Sequence, residues 1–285
     1  MTRTEFRFFE RLRVRWAEID AQQIVFNGHY LMYVDTALAG YWRVLALPYA
    51  QTMEKFGGDM YMRKSTLEYA ASARYDDQLD VGLRVARIGT SSIVFEAGVF
   101  RQDQLLLSGE LVYVFADPRT QTSRPVPAAL REVLLGFEAG EAMVEMRLGG
   151  WAALSEPARA IRTAVFIDEQ KIPIAMEWDE ADESAVHAVA FNRLGLPLAT
   201  GRLLQPAHQV ARIGRMASIR ALRGSGVGRR VLDTLVQAAR ARGDREVVLS
   251  AQTSATAFYL RAGFAPRGAV FEEAGIAHVE MALSL

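Results

Sequence analysis

The period of the hydrophobic residues changes once in the first half of the chain, and this change constrains the fold more than any other feature. Over residues 28–47 the apolar residues recur at helical spacing and form one stripe of a long helix. After Gly57-Gly58 the period becomes two, which predicts strands. One long helix followed by an antiparallel meander predicts an α+β fold in which the sheet wraps around the helix. The predicted elements are a strand within 6–19, the helix, and strands at 59–71, 79–86, 93–99 and 105–115.

The length of the chain and a turn-rich stretch predict two domains. With 285 residues the chain has room for about two domains of ordinary size. Residues 117–127 are rich in turn-forming residues, a short closing helix is predicted at 128–135, and 136–141 has the character of a linker. We therefore place the boundary near 138–143 and expect domains at 1–138 and 143–285.

The second half predicts helices and strands in alternation. Ser155 as N-cap and Pro157 in the first turn predict a helix that runs to about Phe166. The acidic residues at 179–183 predict a solvated loop, although they are also suited to attracting a cationic ligand. Strands are predicted at 143–148, 186–192, 197–204, 209–219 and 247–249, a closing strand at 270–283, and further helices at 227–242 and 254–262.

A glycine-rich turn, Arg223-Gly224-Ser225-Gly226-Val227-Gly228, lies between an apolar run and an amphipathic helix. Glycine lets the backbone approach a bound group closely, and the first N–H groups of a helix have no partners within the helix. With the helix dipole, these groups form an anion site suited to a phosphate, to which nearby arginines could add charge. Taken alone, the turn is equally compatible with a tight connection.

Composition and charge exclude several classes of function. Lys and Arg (33) balance Asp and Glu (33), so no global field recruits nucleic acid or an anionic membrane. The absence of cysteine excludes disulfides, thiolate nucleophiles and thiolate metal sites, and no metal site is predicted. The first residues lack the apolar core of a signal peptide, and no apolar run is long enough to span a bilayer. We expect a cytoplasmic protein.

The first half resembles a known family in several spaced blocks. Residues 20–31 (Asp-Ala-Gln-Gln-Ile-Val-Phe-Asn-Gly-His-Tyr-Leu) are similar to the signature of hotdog-fold acyl-CoA thioesterases of the 4-hydroxybenzoyl-CoA type. The blocks at 63–69, 73–77 and 87–92 also match that family, and the resemblance covers about residues 5–135. It implies a hotdog domain, and a homodimer or larger assembly in which Arg63, Lys64 or Arg87 could contact CoA phosphates, unless they are only solvated.

The resemblance assigns chemical roles to two residues near the start of the long helix. Hydrolysis of a thioester requires a carboxylate, as nucleophile or as water-activating base, and donors for the carbonyl oxyanion. By resemblance Asp20 is the carboxylate, and the backbone N–H of Asn27 faces the thioester oxygen. The family often has His or Tyr at the position of Asn27, so the acyl preference stays open. For His29 we expect local hydrogen bonding at the helix start.

The second half resembles the GCN5-related N-acetyltransferases (GNAT), close to the ElaA-like branch. The glycine turn fits the family's Arg/Gln-x-x-Gly-x-Gly/Ala loop, residues 251–264 fit its second CoA motif, and 165–170 and 271–281 match the branch. The resemblance covers about residues 144–285 and implies a mixed central sheet with acetyl-CoA as acetyl donor. The residues that it assigns to CoA binding are Met216, Ala217, Arg223, Gly224, Ser225, Gly226, Val227, Gly228, Arg229 and Gln252.

The resemblance also implies an acid for acetyl transfer but does not choose the base. Tyr259, with an ordinary pKa of ~10 against ~8.5 for a thiol, stays neutral and is able to protonate the departing thiolate. The amine must also lose a proton. The candidates for this base are Glu169, Glu177, Asp179, Glu273 and His278.

Two functional hypotheses follow from the resemblances. The first is a bifunctional acyl-CoA enzyme that hydrolyses a thioester in the N-terminal domain and acetylates an amine in the C-terminal domain. The alternative is an acetyltransferase whose hotdog half is a non-catalytic dimerising or acyl-CoA-sensing module. The sequence identifies neither the acyl chain nor the amine.

Overall fold

The computed structural model describes residues 1–285, which separate into two units, Met1–Met143 and Val144–Leu285. The first unit contains a five-stranded sheet with the order β1-β3-β4-β5-β2, in which every neighbouring pair is antiparallel. Its strands are β1 (Phe8–Arg13), β2 (Asp59–Tyr69), β3 (Gln78–Ile88), β4 (Ser92–Arg101) and β5 (Gln104–Ala116). Its helices are α1 (Asn27–Val44), α2 (Tyr49–Phe56) and α3 (Ala128–Glu138).

Helix α1 supplies the core of the first unit and contacts β1 and β3. Its buried face is largely aromatic, and Tyr41 packs edge-on against Phe8, Phe95 and Phe137 at centroid distances of 5.3–5.8 Å. The Tyr41 hydroxyl donates a 2.5 Å hydrogen bond to Glu138 of α3. The predicted wrapping of one long helix by an antiparallel sheet is therefore confirmed.

The second unit contains a seven-stranded mixed sheet with the order β11-β12-β10-β9-β8-β7-β6. Only β9 and β10 pair in parallel, and the other neighbours are antiparallel. The strands are β6 (Val144–Gly149), β7 (Val186–Asn192), β8 (Pro197–Ala207), β9 (Val210–Ser218), β10 (Glu246–Gln252), β11 (Ala265–Glu273) and β12 (Ile276–Ser284). The helices are α4 (Trp151–Arg162), a π-helix at Thr163–Glu169, α5 (Ile174–Glu177), α6 (Ala181–Ser184), α7 (Val227–Arg242) and α8 (Thr256–Leu260).

Three predicted elements differ from the structure. Strand β1 ends at Arg13, and a 3-10 turn at Trp16–Glu18 occupies the rest of the predicted strand. Helix α4 begins at Trp151 and not at Ser155, with Gly150 as its N-cap and Pro157 inside it, and Trp151 packs on His187 with ring centroids 4.8 Å apart. The predicted closing strand is a hairpin, since Ala274 and Gly275 both adopt positive φ (53° and 75°) and reverse the chain between β11 and β12.

The acidic stretch at 179–183 matches the predicted solvated loop only in part. Asp179, Glu180 and Glu183 are exposed, but Asp182 is buried in the short helix α6 and accepts hydrogen bonds from Arg162 and Arg202. None of the helices combines the length and the hydropathy needed to cross a bilayer.

Candidate active sites

The start of helix α1 and the turn before it form a cavity of about 440 Å³ in the first unit. Asp20 and Asn27 both line this cavity. The turn is closed by a 2.9 Å hydrogen bond from the Asp20 N–H to the Ile24 carbonyl, and the Gln22 N–H donates to Asp20 Oδ1 at 2.8 Å. One carboxylate oxygen of Asp20 is thus held by the turn, while the other has no hydrogen-bond partner in the chain.

The helix start supplies donors on the same side as Asp20. The first turn of α1 is closed by the His29 N–H, which donates to the Phe26 carbonyl at 2.9 Å. The N–H groups of Asn27 and Gly28 have no acceptor in the chain, as expected at a helix N-terminus. A carboxylate and two unpaired N–H groups are the components that thioester hydrolysis requires.

Tyr69 is a cavity residue that the sequence analysis did not single out. Its hydroxyl donates to the Asn27 carbonyl at 3.1 Å, and its ring meets Tyr30 edge-on. Tyr69 ends strand β2, so this contact joins the edge strand to the helix start. The only sequence signal was its position at the end of the matching block at 63–69.

His29 and the basic residues expected near CoA lie outside this cavity. Arg63, Lys64 and Arg87 are absent from its lining, and Lys64 approaches Glu110 at 3.5 Å. The expected local hydrogen bond of His29 is made by its backbone N–H, which donates to the Phe26 carbonyl, whereas its buried Nδ1 atom has no hydrogen-bond partner.

The glycine-rich turn of the second unit has the geometry of an anion site. Gly224 and Gly226 adopt positive φ (82° and 87°), a conformation that side chains other than glycine rarely take. The first hydrogen bond of α7 runs from the Arg230 N–H to the Gly226 carbonyl at 3.1 Å, so the N–H groups of residues 227–229 remain without helical partners. A Cβ on Gly228 would lie 2.9 Å from Ser218 Oγ. Local sequence therefore sets this site.

The arginines of this region bind protein groups. Arg223 forms a bidentate pair with Glu169, at 2.6 and 2.7 Å. Arg229 donates to Asp233 and to the Arg261 carbonyl. The anion site therefore consists of backbone N–H groups, with these side chains at its margin.

A second cavity of about 390 Å³ lies at the side of the mixed sheet and contains most of the predicted transfer residues. They are Met216, Gln252, Tyr259, Glu177, Asp179, Glu273 and His278. Ala217, which follows Met216 in β9, is buried and is not part of the lining. A bulge displaces Arg215 and Met216 from the ladder between β8 and β9, and Arg215 has a φ of 52°. The backbone of Met216 is thereby released from strand pairing beside the cavity.

Tyr259 has the properties of a neutral proton donor. It lies on α8, its ring is buried against Phe258 and Phe264, and its hydroxyl has no hydrogen-bond partner in the chain. Burial raises the pKa of Tyr259 to about 12, because the phenolate would lose hydration. The hydroxyl therefore keeps its proton at neutral pH.

Most candidates for the base are engaged by arginines. Glu169 is paired with Arg223 and does not line the cavity. Burial raises the pKa of Glu177, against the opposing hydrogen bond from Arg162. Burial would also raise the pKa of Asp179, but the hydrogen bond and charge of Arg202 hold it below its ordinary value. These three carboxylates are committed to ion pairs.

His278 and Glu273 are the remaining candidates. Glu273 is the last residue of β11, and His278 lies in β12, the other strand of the same hairpin. His278 Nδ1 lies 2.8 Å from the Ile276 carbonyl, which only accepts, so Nδ1 carries the proton in the neutral ring. Its Nε2 then has the lone pair that a base needs. Glu273 is exposed at the end of β11 and has no ion-pair partner.

Sequence reasoning did not predict an ion network beside the cavity, in which Glu177, Asp179, Arg202 and Arg215 line the cavity and Arg162 and Asp182 lie behind them. The Arg162 side chain is 1 % exposed, donates to Glu177 and Asp182 at 2.5 and 2.8 Å, and lies over the rings of Trp151 and Trp178. Its partners are 15 and 20 residues distant in sequence, so no local pattern signals the network. No group of three or more His, Asp and Glu side chains is arranged to hold a metal ion.

Comparison with known proteins assigns each half of the chain to a different family. The family described as the thioesterase superfamily matches residues 22–108, and the acetyltransferase (GNAT) domain family matches residues 166–285. A Bacillus subtilis protein, provisionally named an acetyltransferase, is 32% identical over 124 residues, which cover 42% of this chain and 83% of that protein. An Aquifex aeolicus protein, provisionally named an esterase, is 30% identical over 96 residues, which cover 34% of this chain and 74% of that protein.

The solved structures that are similar to this chain include one from Pseudomonas aeruginosa. It is an acyl-CoA N-acyltransferase that is 34% identical, with a TM-score of 0.45. The match covers 49% of this chain and 98% of the other protein.

Proposed function

Because the chain belongs to the thioesterase superfamily in its N-terminal half and to the GNAT acetyltransferases in its C-terminal half, we propose that both halves are catalytic. The N-terminal half, assigned to residues 1–138, hydrolyses an acyl-CoA thioester. The C-terminal half, assigned to residues 143–285, transfers the acetyl group of acetyl-CoA to an amine. The cavities described above support an active site in each half.

In the first half, Asp20 acts as nucleophile or as the base that activates water. The N–H groups of Asn27 and Gly28 stabilise the oxyanion, because developing negative charge is favoured at a helix N-terminus. The lining of one cavity by both Asp20 and Asn27 supports this pairing of roles. The acyl chain of the substrate is left open.

In the second half, the N–H groups of residues 226–229 bind the CoA pyrophosphate, with Arg223 and Gln252 at the margins of the CoA site. The N–H of Ser225, which the resemblance also assigns to CoA, donates to the Leu222 carbonyl at 3.1 Å and is not one of these donors. The backbone at Met216 and Ala217 holds the pantetheine arm and the thioester carbonyl. The amine nitrogen then attacks the carbonyl carbon and the carbon–sulfur bond breaks. His278 Nε2 accepts the proton of the amine, and the Tyr259 hydroxyl donates its proton to the departing sulfur.

The convergence of Tyr259 and His278 on one cavity is the observation that carries the transferase proposal. The test is to measure acyl-CoA hydrolysis and acetyl transfer separately in full-length Asp20→Ala and Tyr259→Phe. We expect Asp20→Ala to lose hydrolysis and keep transfer, and Tyr259→Phe to do the reverse. If Asp20→Ala leaves hydrolysis unchanged, the proposed role of Asp20 is wrong.

One observation favours the alternative, in which the first half only dimerises or senses acyl-CoA. Asp20 already accepts a hydrogen bond from the Gln22 N–H and would have a structural role without catalysis. The test is to offer several acyl-CoA thioesters to the full-length protein and to count the bound molecules by native mass spectrometry. Binding of two molecules per chain without hydrolysis of any thioester would support this alternative.

We also propose that the protein is a homodimer or a larger homo-oligomer formed through the first unit. Strand β2 is the edge of its sheet, most of its residues are exposed, and Met62 and Tyr69 are among them. An exposed edge strand offers unpaired N–H and carbonyl groups to a second chain. Light scattering after gel filtration measures the mass, and a monomer would contradict this proposal. The cytoplasmic location stays a prediction.

A further inference from the structure

The ionic groups around the transfer cavity are arranged in compensating pairs. Three guanidinium groups pair with three carboxylates at distances of 2.5–3.5 Å, so their formal charges cancel. The members are Arg162, Arg202, Arg215, Glu177, Asp179 and Asp182. The network stiffens the wall of the cavity but offers no net negative charge to a cationic acceptor.

Two charged residues of the lining are outside this network. Arg212 approaches Glu280 at 3.7 Å, and Glu280 is also bound by Arg267 at 2.6 Å. Glu273 has neither an ion pair nor a hydrogen bond in the chain, and it lies at the exposed end of β11. The cavity thus presents one uncompensated carboxylate, at its mouth.

Much of the remaining lining is apolar. Phe166, Ile172, Met176 and Ile213 contribute to it. The cavity volume of about 390 Å³ is near the lower end of the range for small-molecule sites, ~300–1,000 Å³. Because the acetyl group of acetyl-CoA shares this cavity in the proposed reaction, the volume that remains accommodates one compact apolar body beside the reacting amine.

We infer that the amine acceptor is a small monoamine with an apolar body, and that Glu273 binds its ammonium group. This inference rests on the proposed acetyl transfer. Glu273 attracts the cation, His278 removes its proton, and the apolar body packs against Phe166 and Ile213. A second ammonium group would enter a cavity whose remaining carboxylates already have guanidinium partners, and it would lose hydration without gaining an ion pair.

The matched pair hexylamine and 1,6-diaminohexane tests the inference with the full-length protein and acetyl-CoA. The two amines share a six-carbon chain and differ in one ammonium group, and the release of the CoA thiol above the rate without amine gives the rate of transfer. We expect kcat/KM for hexylamine to exceed that for the diamine by ~10-fold or more, because the second ammonium group loses hydration without gaining an ion pair. Equal values, or a preference for the diamine, would overturn the inference. If no amine accelerates thiol release although calorimetry shows acetyl-CoA binding, the proposed transfer fails and this inference falls with it.

Two variants separate the roles of the network and of Glu273. Arg215→Asn removes one positive charge, and asparagine tolerates the left-handed backbone at this position. We expect it to shift the hexylamine-to-diamine ratio ~10-fold toward the diamine, whereas Arg240→Gln, on the exposed face of α7, leaves the ratio unchanged. An unchanged ratio in Arg215→Asn would contradict the charge argument.

Glu273→Gln concerns an exposed side chain and therefore tests recognition without disturbing the core. We expect KM for hexylamine to rise by up to ~5-fold, with KM for acetyl-CoA unchanged, because an exposed ion pair contributes up to ~1 kcal/mol and ~1.4 kcal/mol corresponds to tenfold. An unchanged KM for hexylamine would show that Glu273 does not bind the acceptor.

Discussion

Removal of the Arg162 side chain is expected to destabilise the second unit strongly. Arg162 makes charge-assisted hydrogen bonds to Glu177 and Asp182 and a 2.7 Å hydrogen bond to the Glu177 carbonyl, all in the interior. Two charge-assisted bonds at ~1.5–3 kcal/mol each set a ceiling of ~6 kcal/mol. Arg202 and Arg215 remain beside the two carboxylates in the variant and offset part of the loss. We therefore expect Arg162→Met to cost about 3–5 kcal/mol, the range for breaking a buried ion pair.

Hydrogen exchange of the backbone amides in β7 and β10 measures this loss directly. These strands lie inside the mixed sheet, so their slowest amides report opening of the unit. A loss of about 3 kcal/mol accelerates their exchange by ~150-fold, at 1.36 kcal/mol for each factor of ten.

Arg159→Met is the matched control for this experiment. Arg159 lies on the same helix and over the same rings, 5.1 Å from Trp151 and 4.7 Å from Trp178, but it is exposed and bonds no carboxylate. We expect a cost below ~1 kcal/mol. If Arg162→Met accelerates exchange no more than Arg159→Met, the network does not stabilise the fold and the reasoning is refuted.

Three further predictions follow from single sites. Tyr259→Phe should lower kcat for acetyl transfer ~100-fold. Because burial raises the pKa of Tyr259 to about 12, kcat of the wild type should not fall between about pH 7 and about pH 10 through loss of this proton. A fall of kcat in that range that is absent in Tyr259→Phe would contradict the assignment. Gly58→Ala should destabilise by ~1–3 kcal/mol in urea unfolding, because the new Cβ would lie 2.2 Å from the buried Phe115 ring, whereas Gly150→Ala meets no atom within 4 Å and should be tolerated. Hydrogen bonds from Arg11 and Arg3 hold the pKa of Asp80 below its ordinary value, so the ionised carboxylate stabilises the fold at neutral pH and this stabilisation is lost as the pH falls through the lowered pKa. Asp80→Asn should therefore be less stable than the wild type at neutral pH, and the difference in unfolding free energy should narrow in acid. A difference that stays constant with pH would contradict this role of Asp80.

The elements that were predicted from sequence are those whose periodicity is local and uninterrupted. Strands β3, β4 and β5 alternate regularly, and their predicted positions lie within the observed ones. Helix α2 was missed because Gln51, Thr52, Glu54 and Lys55 leave little apolar pattern, and its burial depends on Thr52 and Met53 packing against the rest of the unit. The start of α4 was also misplaced, because its N-cap is Gly150 and Ser155 lies inside the helix.

The candidate sites divide in the same way. The backbone of the glycine turn and of the start of α1 is set by adjacent residues, so the sequence, with the family resemblances, predicted both as candidate sites. The choice of base depends on ion pairs between distant positions, such as Glu169 with Arg223, which are 54 residues apart. A carboxylate in a sequence does not reveal whether an arginine will neutralise it, and that information exists only in the folded chain.

The π-helix at Thr163–Glu169 allows deletion of a single residue to change the lining of the transfer cavity. A π-helical turn contains one residue more than an α-helical turn, so deletion of a single residue would restore the regular helix. Each residue of an α-helix advances by ~100°, and Phe166 and Gln170, which line the cavity, would rotate to another side of the segment. The loss of one codon in evolution would therefore change which side chains line the cavity, with every other amino acid retained.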